Sequence, residues 1–125
     1  MRKRRGERGQ ALVELALFIP LLTVLTFGAI DLGRVYFAYT SLTNAAREGA
    51  MCASLGSFCS TTPTAAANAE VNGTLPGGIT TAVTGGGSSG STVTVTVSYN
   101  FTLLTTAVIK NTTVPVKASA SMVVQ

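Results

Sequence analysis

The chain has 125 residues, 46% of them apolar but only 6% aromatic, with no Trp and no His, which fits one small core plus one long element rather than two domains. Its net charge of +4 is not dispersed: Arg2, Lys3, Arg4, Arg5 and Arg8 face only Glu7, whereas from residue 9 onward Arg34, Arg47, Lys110 and Lys117 cancel Glu14, Asp31, Glu48 and Glu70. A basic leader without interleaved aromatics excludes a nucleic-acid surface. The lack of His, of a spaced carboxylate pair outside the apolar run and of a nucleophile motif excludes acid–base or nucleophilic catalysis.

The first predicted element begins directly after that cluster. Residues 11–30 (ALVELALFIPLLTVLTFGAI) form a run of 20, enough to cross a hydrocarbon core of about 30 Å as a helix. The charge bias places the basic end in the cytoplasm and everything after Asp31 outside. Two residues interrupt the run. Glu14 carries a carboxylate near its start, where the positive end of the helix dipole favours it but lipid does not. Pro20 lacks a backbone donor and predicts a kink or loosening of the helix.

The segment Gly9-Gln10-Ala11-Leu12-Val13-Glu14 reads as a basic leader ending in glycine, four uncharged residues and a glutamate. It resembles the cleavage signal of prepilins. The wider stretch RGQALVELALFIPLL with AIDLGRVYFAYTSLTNAAREGA resembles the TadE-like pseudopilins of tight-adherence (Flp) pilus systems, with Leu15 where such signals carry an aromatic. The resemblance implies a prepilin peptidase cutting between Gly9 and Gln10 and Glu14 as fifth residue of the mature chain. It also implies that Glu14 pairs with the new terminal ammonium of a neighbouring subunit. The expected partners are the cytoplasmic membrane, the peptidase, other pilins or pseudopilins and pilus-assembly membrane proteins, with no cofactor and no small-molecule substrate. Two alternatives stand beside it. One is an ordinary secretory signal cut near Thr26-Phe27-Gly28, although the run exceeds the usual length and contains Glu14. The other is a single-pass protein that is never processed.

Beyond the run, Leu32, Val35, Tyr39, Leu42, Ala46, Gly49 and Ala53 recur at spacings of 3 and 4, which predicts one apolar face on a helix continuing to about residue 53 and stopping near Gly56. Asp31 and Arg34 are spaced for an i, i+3 ion pair at the membrane exit. Cys52 and Cys59 bracket the helix end and either close a small disulfide loop or remain two free thiols; two Cys without His do not fill a zinc shell, so no metal is expected.

Residues 64–73 predict a short second helix, residues 79–83 a weak strand, and residues 85–90 (GGGSSG) a turn. Val93, Val95, Val97, Tyr99 and Phe101 alternate strictly with polar residues, a half-buried strand. A last strand over residues 114–124 alternates less cleanly, and Pro115 implies that it either lies at a sheet edge or starts after the proline. Residues 103–109 connect the two as an apolar link suited to a membrane or a partner. The expected fold is α+β, a pilin-like long amino-terminal transmembrane helix packed on a small antiparallel sheet. Its expected parts are residues 1–9 as leader, 10–31 in the membrane, 32–56 as an extracytoplasmic amphipathic helix and 57–125 as a β-rich domain.

Overall fold

The computed structural model describes residues 4–107 and 113–125. One helix, α1 (Arg4–Leu55), takes 52 residues and so extends about 78 Å at ~1.5 Å per residue. It continues through Pro20. Proline removes the donor that would serve the Ala16 carbonyl, yet its fixed φ is helical, so the chain need not leave the helix there. Thr23 and Thr26 donate their hydroxyls to the carbonyls of Ile19 and Leu22 at 2.7 and 2.8 Å, so neither exposes an unmade donor on the apolar stretch.

The helix ends at Gly56, whose φ of 55° is the left-handed conformation that stops a helix. A 3-10 turn (Gly56–Phe58) leads to α2 (Pro63–Val71). The start of α2 follows from local chemistry: Pro63 fits the first turn and the Thr62 hydroxyl accepts the Ala65 N–H at 3.2 Å. Strands β1 (Thr80–Gly85), β2 (Thr92–Thr102) and β3 (Thr113–Val123) form one antiparallel sheet in the order β1-β2-β3. The expected α+β architecture, a long apolar helix with a small antiparallel sheet, is the one observed. The short elements lie one or two residues from where the sequence places them.

The core lies between the outer half of α1, α2 and one sheet face. Ala38, Leu42, Ala45, Ala46 and Ala50 of α1 meet Ala67 and Val71 of α2 and Val95, Val97, Phe101, Val116 and Ala118 of the sheet. Register explains the fit: Val95 pairs with Ala120 and Val97 with Ala118, so large and small side chains alternate across the inner face. Pro115 pairs with Asn100 on β3, a true edge strand, where a missing donor is tolerated.

The packed face of α1 is not quite the expected stripe. Leu42, Ala46 and Gly49 are buried and Val35 and Ala53 half-buried, but Leu32 and Tyr39 point outward. Each residue turns a helix by about 100°, and Leu32 and Tyr39 sit one step round from Asp31 and Ala38, both buried. The seam therefore runs through Asp31, Ala38, Leu42, Ala45 and Gly49. An acid lies in phase with the core.

Candidate functional site: the exposed helix and its exit clasp

No residue of α1 from Gly9 to Ile30 is covered by the rest of the chain. Leu12, Val13, Leu15, Leu17, Phe18, Ile19, Leu21, Leu22, Val24, Leu25, Phe27 and Ile30 are all exposed. Leaving so many large apolar side chains in water would forfeit roughly 1.5–3 kcal/mol each, so the segment requires lipid or protein around it. By length and composition, α1 is the one helix among the described residues able to cross a membrane.

The residues singled out at its start share this bare stretch. Gly9 and Gln10 are helical and exposed, and a Cβ added at Gly9 would meet nothing within 4 Å. Glu14 is exposed too. It lies four residues after Gln10, hence on the same side one turn along. Among the described residues none covers these three, so within the described fold a Glu14 charge in lipid finds no compensation beyond its own helix turn.

At the other end of the apolar stretch lies a cluster that sequence spacing only half revealed. The expected Asp31–Arg34 pair forms, with Nη1 3.2 Å from Oδ1. Asp31 does more than pair on the surface, however, for it is 4% exposed. Its Oδ1 accepts the Leu104 N–H at 2.9 Å, and its Oδ2 accepts the Thr105 N–H at 2.9 Å and the Thr105 hydroxyl at 3.0 Å. Leu104 and Thr105 open the 3-10 turn Leu104–Ala107 between β2 and β3. The carboxylate thus caps the free N–H groups of a distant turn and joins two segments more than seventy residues apart. The Arg34 guanidinium carbon also stands 4.9 Å from the centre of the Phe101 ring, a cation–π distance. The available signal was phase: Asp31 precedes Ala38 and Ala45 by seven and fourteen residues, on the buried seam.

At the far end of α1, Cys52 and Cys59 are joined as a disulfide across the 3-10 turn, with Cα atoms 5.2 Å apart. The carboxy terminus closes on the same region, the Gln125 N–H donating to the Ser54 carbonyl at 3.1 Å. Among the described residues no group of three or more His, Cys, Asp or Glu could hold a metal ion.

Comparison with protein families matches residues 9–51 to the family described as TadE-like protein. Searches of curated proteins and of solved structures give no match. The matched stretch covers the bare helix, the Asp31 position and most of the packed face, and stops before the disulfide and the sheet. Residues 9–51 are thus similar to TadE-like proteins, and together with a helix able to cross a membrane this similarity fits a protein associated with a Tad pilus.

Proposed function

We propose that the protein is a minor pseudopilin of a tight-adherence (Flp, type IV-like) pilus system, without enzymatic activity, cleaved by a prepilin peptidase between Gly9 and Gln10. One observation carries this reading: an acid, Glu14, sits on an otherwise uncharged and uncovered stretch of helix, five residues after a glycine that ends a basic leader, inside the segment similar to TadE-like proteins. Cleavage there removes all the excess positive charge and creates an ammonium on Gln10. A Glu14 carboxylate in lipid then finds a partner only when a second subunit docks in register, which rewards one axial offset.

In this reading residues 1–9 are the leader, 10–31 span the cytoplasmic membrane with the leader inside, 32–56 continue the spine and 57–125 form the outer domain. Its partners are the peptidase, other pilins or pseudopilins and membrane proteins of pilus assembly. The amino-terminal residue of the protein recovered from native membranes tests it. Gln10, read by mass spectrometry, is the expected start. A start near Ala29 would indicate an ordinary signal peptide, and an intact leader an unprocessed single-pass protein; either overturns the proposal.

A further inference from the structure

Taking α1 as membrane-spanning, we infer that the bilayer's outer headgroup zone reaches beyond Asp31, so that the folded domain sits in it through Leu32, Tyr36 and Phe37 of α1 and Leu104 of the β2–β3 connection. Three observations meet here. First, the uncovered apolar side chains do not stop with the run of 20. Leu32, Tyr36 and Phe37 are 73%, 69% and 56% exposed. From Leu12 to Phe37 the helix rises about 38 Å, longer than a hydrocarbon core of ~30 Å but close to the ~40–45 Å of a bilayer with its headgroups. Two of these three side chains are aromatic, and Tyr36 has the apolar body and polar tip that suit the interface.

Second, the charges within this extension are already provided for. A carboxylate at the edge of lipid lacks water to bond to, and Asp31 has its acceptors filled by Arg34, Leu104 and Thr105. Arg34 has a side chain 42% exposed, with its head over Phe101, long enough to lay its stem on apolar surface while its charge reaches the headgroups.

Third, the clasp fixes depth. Because one carboxylate holds both helix and turn, the turn lies at the level of Asp31, and Leu104 presents an apolar side chain 48% exposed there. On the same stretch of α1 lies an open apolar groove of about 670 Å³, lined by Ala29, Leu32, Val35, Tyr36 and Tyr39 with Val116 of β3. The groove is continuous with the bare helix below, so its occupant is lipid, the medium that surrounds that helix.

The absence of Trp makes a direct test available, since any single Trp substitution is the sole tryptophan reporter. Full-length F18W, Y36W, L104W and F58W are reconstituted in phosphatidylcholine/phosphatidylglycerol vesicles whose acyl chains are brominated near the headgroup or near the middle. Phe58, 89% exposed at the far end of α1, is the control outside the bilayer. F18W is expected to be quenched best by mid-chain bromine. Y36W and L104W are expected to be quenched best by headgroup-proximal bromine, at least about twofold more than F58W, because bilayer position sets the distance. Adding Asp31→Ala should release L104W from quenching while Y36W keeps it. If Y36W and L104W match F58W while F18W is quenched, the domain stands clear of the membrane and the inference fails with the span intact. Blue-shifted emission without quenching would mean that a second protein surface covers this face, which also overturns it. If F18W is unquenched, the spanning reading falls and the inference with it. L104W quenching that survives Asp31→Ala removes the clasp as the depth-setting device.

Discussion

At the scale of single residues, the packing of this domain depends on where α1 lacks a side chain. A Cβ at Gly49 would lie 3.0 Å from Val95 Cγ1 and 3.1 Å from the Pro63 carbonyl oxygen, tight enough that each neighbour must give by a few tenths of an ångström. The Val95 methyl has some freedom, but the Pro63 oxygen belongs to the first turn of α2 and moves only with its backbone. Gly49→Ala should therefore destabilise the protein by about 1–2 kcal/mol, an overpacking loss larger than the ~1 kcal/mol that alanine gains in helix propensity. Gly33→Ala is the matched control, since a Cβ there meets nothing within 4 Å; it should leave stability unchanged or raise it slightly. Thermal unfolding of both variants in detergent checks the pair, and equal melting temperatures would contradict the assigned contact. Residue patterning showed that Gly49 lies on the packed face. It did not show that two other elements converge there, because that depends on the placement of α2 and β2.

At the scale of elements, legibility followed the length of the repeating pattern. The long helix declared itself through an apolar run and a following 3.6-residue period, and β2 through five alternating apolar positions, because each signal is repeated many times. At Leu32 and Tyr39 the apolar pattern of α1 runs one residue out of phase with the buried seam. Hydrophobic type alone marked the stripe, whereas the true seam includes an acid and several alanines. Asp31's bonds to Leu104 and Thr105 were out of reach of the sequence, since they link positions far apart in the chain through backbone donors that any residue provides. Sequence spacing left Cys52 and Cys59 as either a bridge or two free thiols; the fold brings them together, and the energetic role of their link is local. It closes a loop of sequence separation 7, worth about 2.5 kcal/mol in the chain-entropy account. Cys59→Ser should lower the stability of the domain by about that amount, read as a lower melting temperature. Reductant should produce the same loss in the unsubstituted protein and no further loss in the variant; reductant-insensitive melting of the unsubstituted protein would show that the loop contributes nothing.

At the scale of the whole molecule, the fold leaves work to its surroundings: among the described residues nothing covers α1 from Gly9 to Ile30, and the one carboxylate on that stretch, Glu14, has no hydrogen-bond or ion-pair partner. The two acids of α1 illustrate opposite solutions. Asp31 is satisfied by its own chain, whereas Glu14 is left exposed one turn from Gln10. If a neighbour's Gln10 ammonium supplies the missing charge, a zero-length carbodiimide reagent should link the Glu14 carboxylate of one subunit to the amino terminus of another in native membranes. Glu14→Gln keeps the shape and removes the charge, so it should abolish that link and weaken docking by at least about 3 kcal/mol, a loss of a hundredfold or more, as for a buried pair deprived of one partner. A substitution of Gly9 that blocks processing should abolish the link as well, since no free amine then exists at Gln10, although Glu14 is untouched. The two variants separate the chemistry from mere helix contact. Cross-linking at Glu14 that persists when cleavage is blocked would mean that another cation, not the new terminus, neutralises the acid.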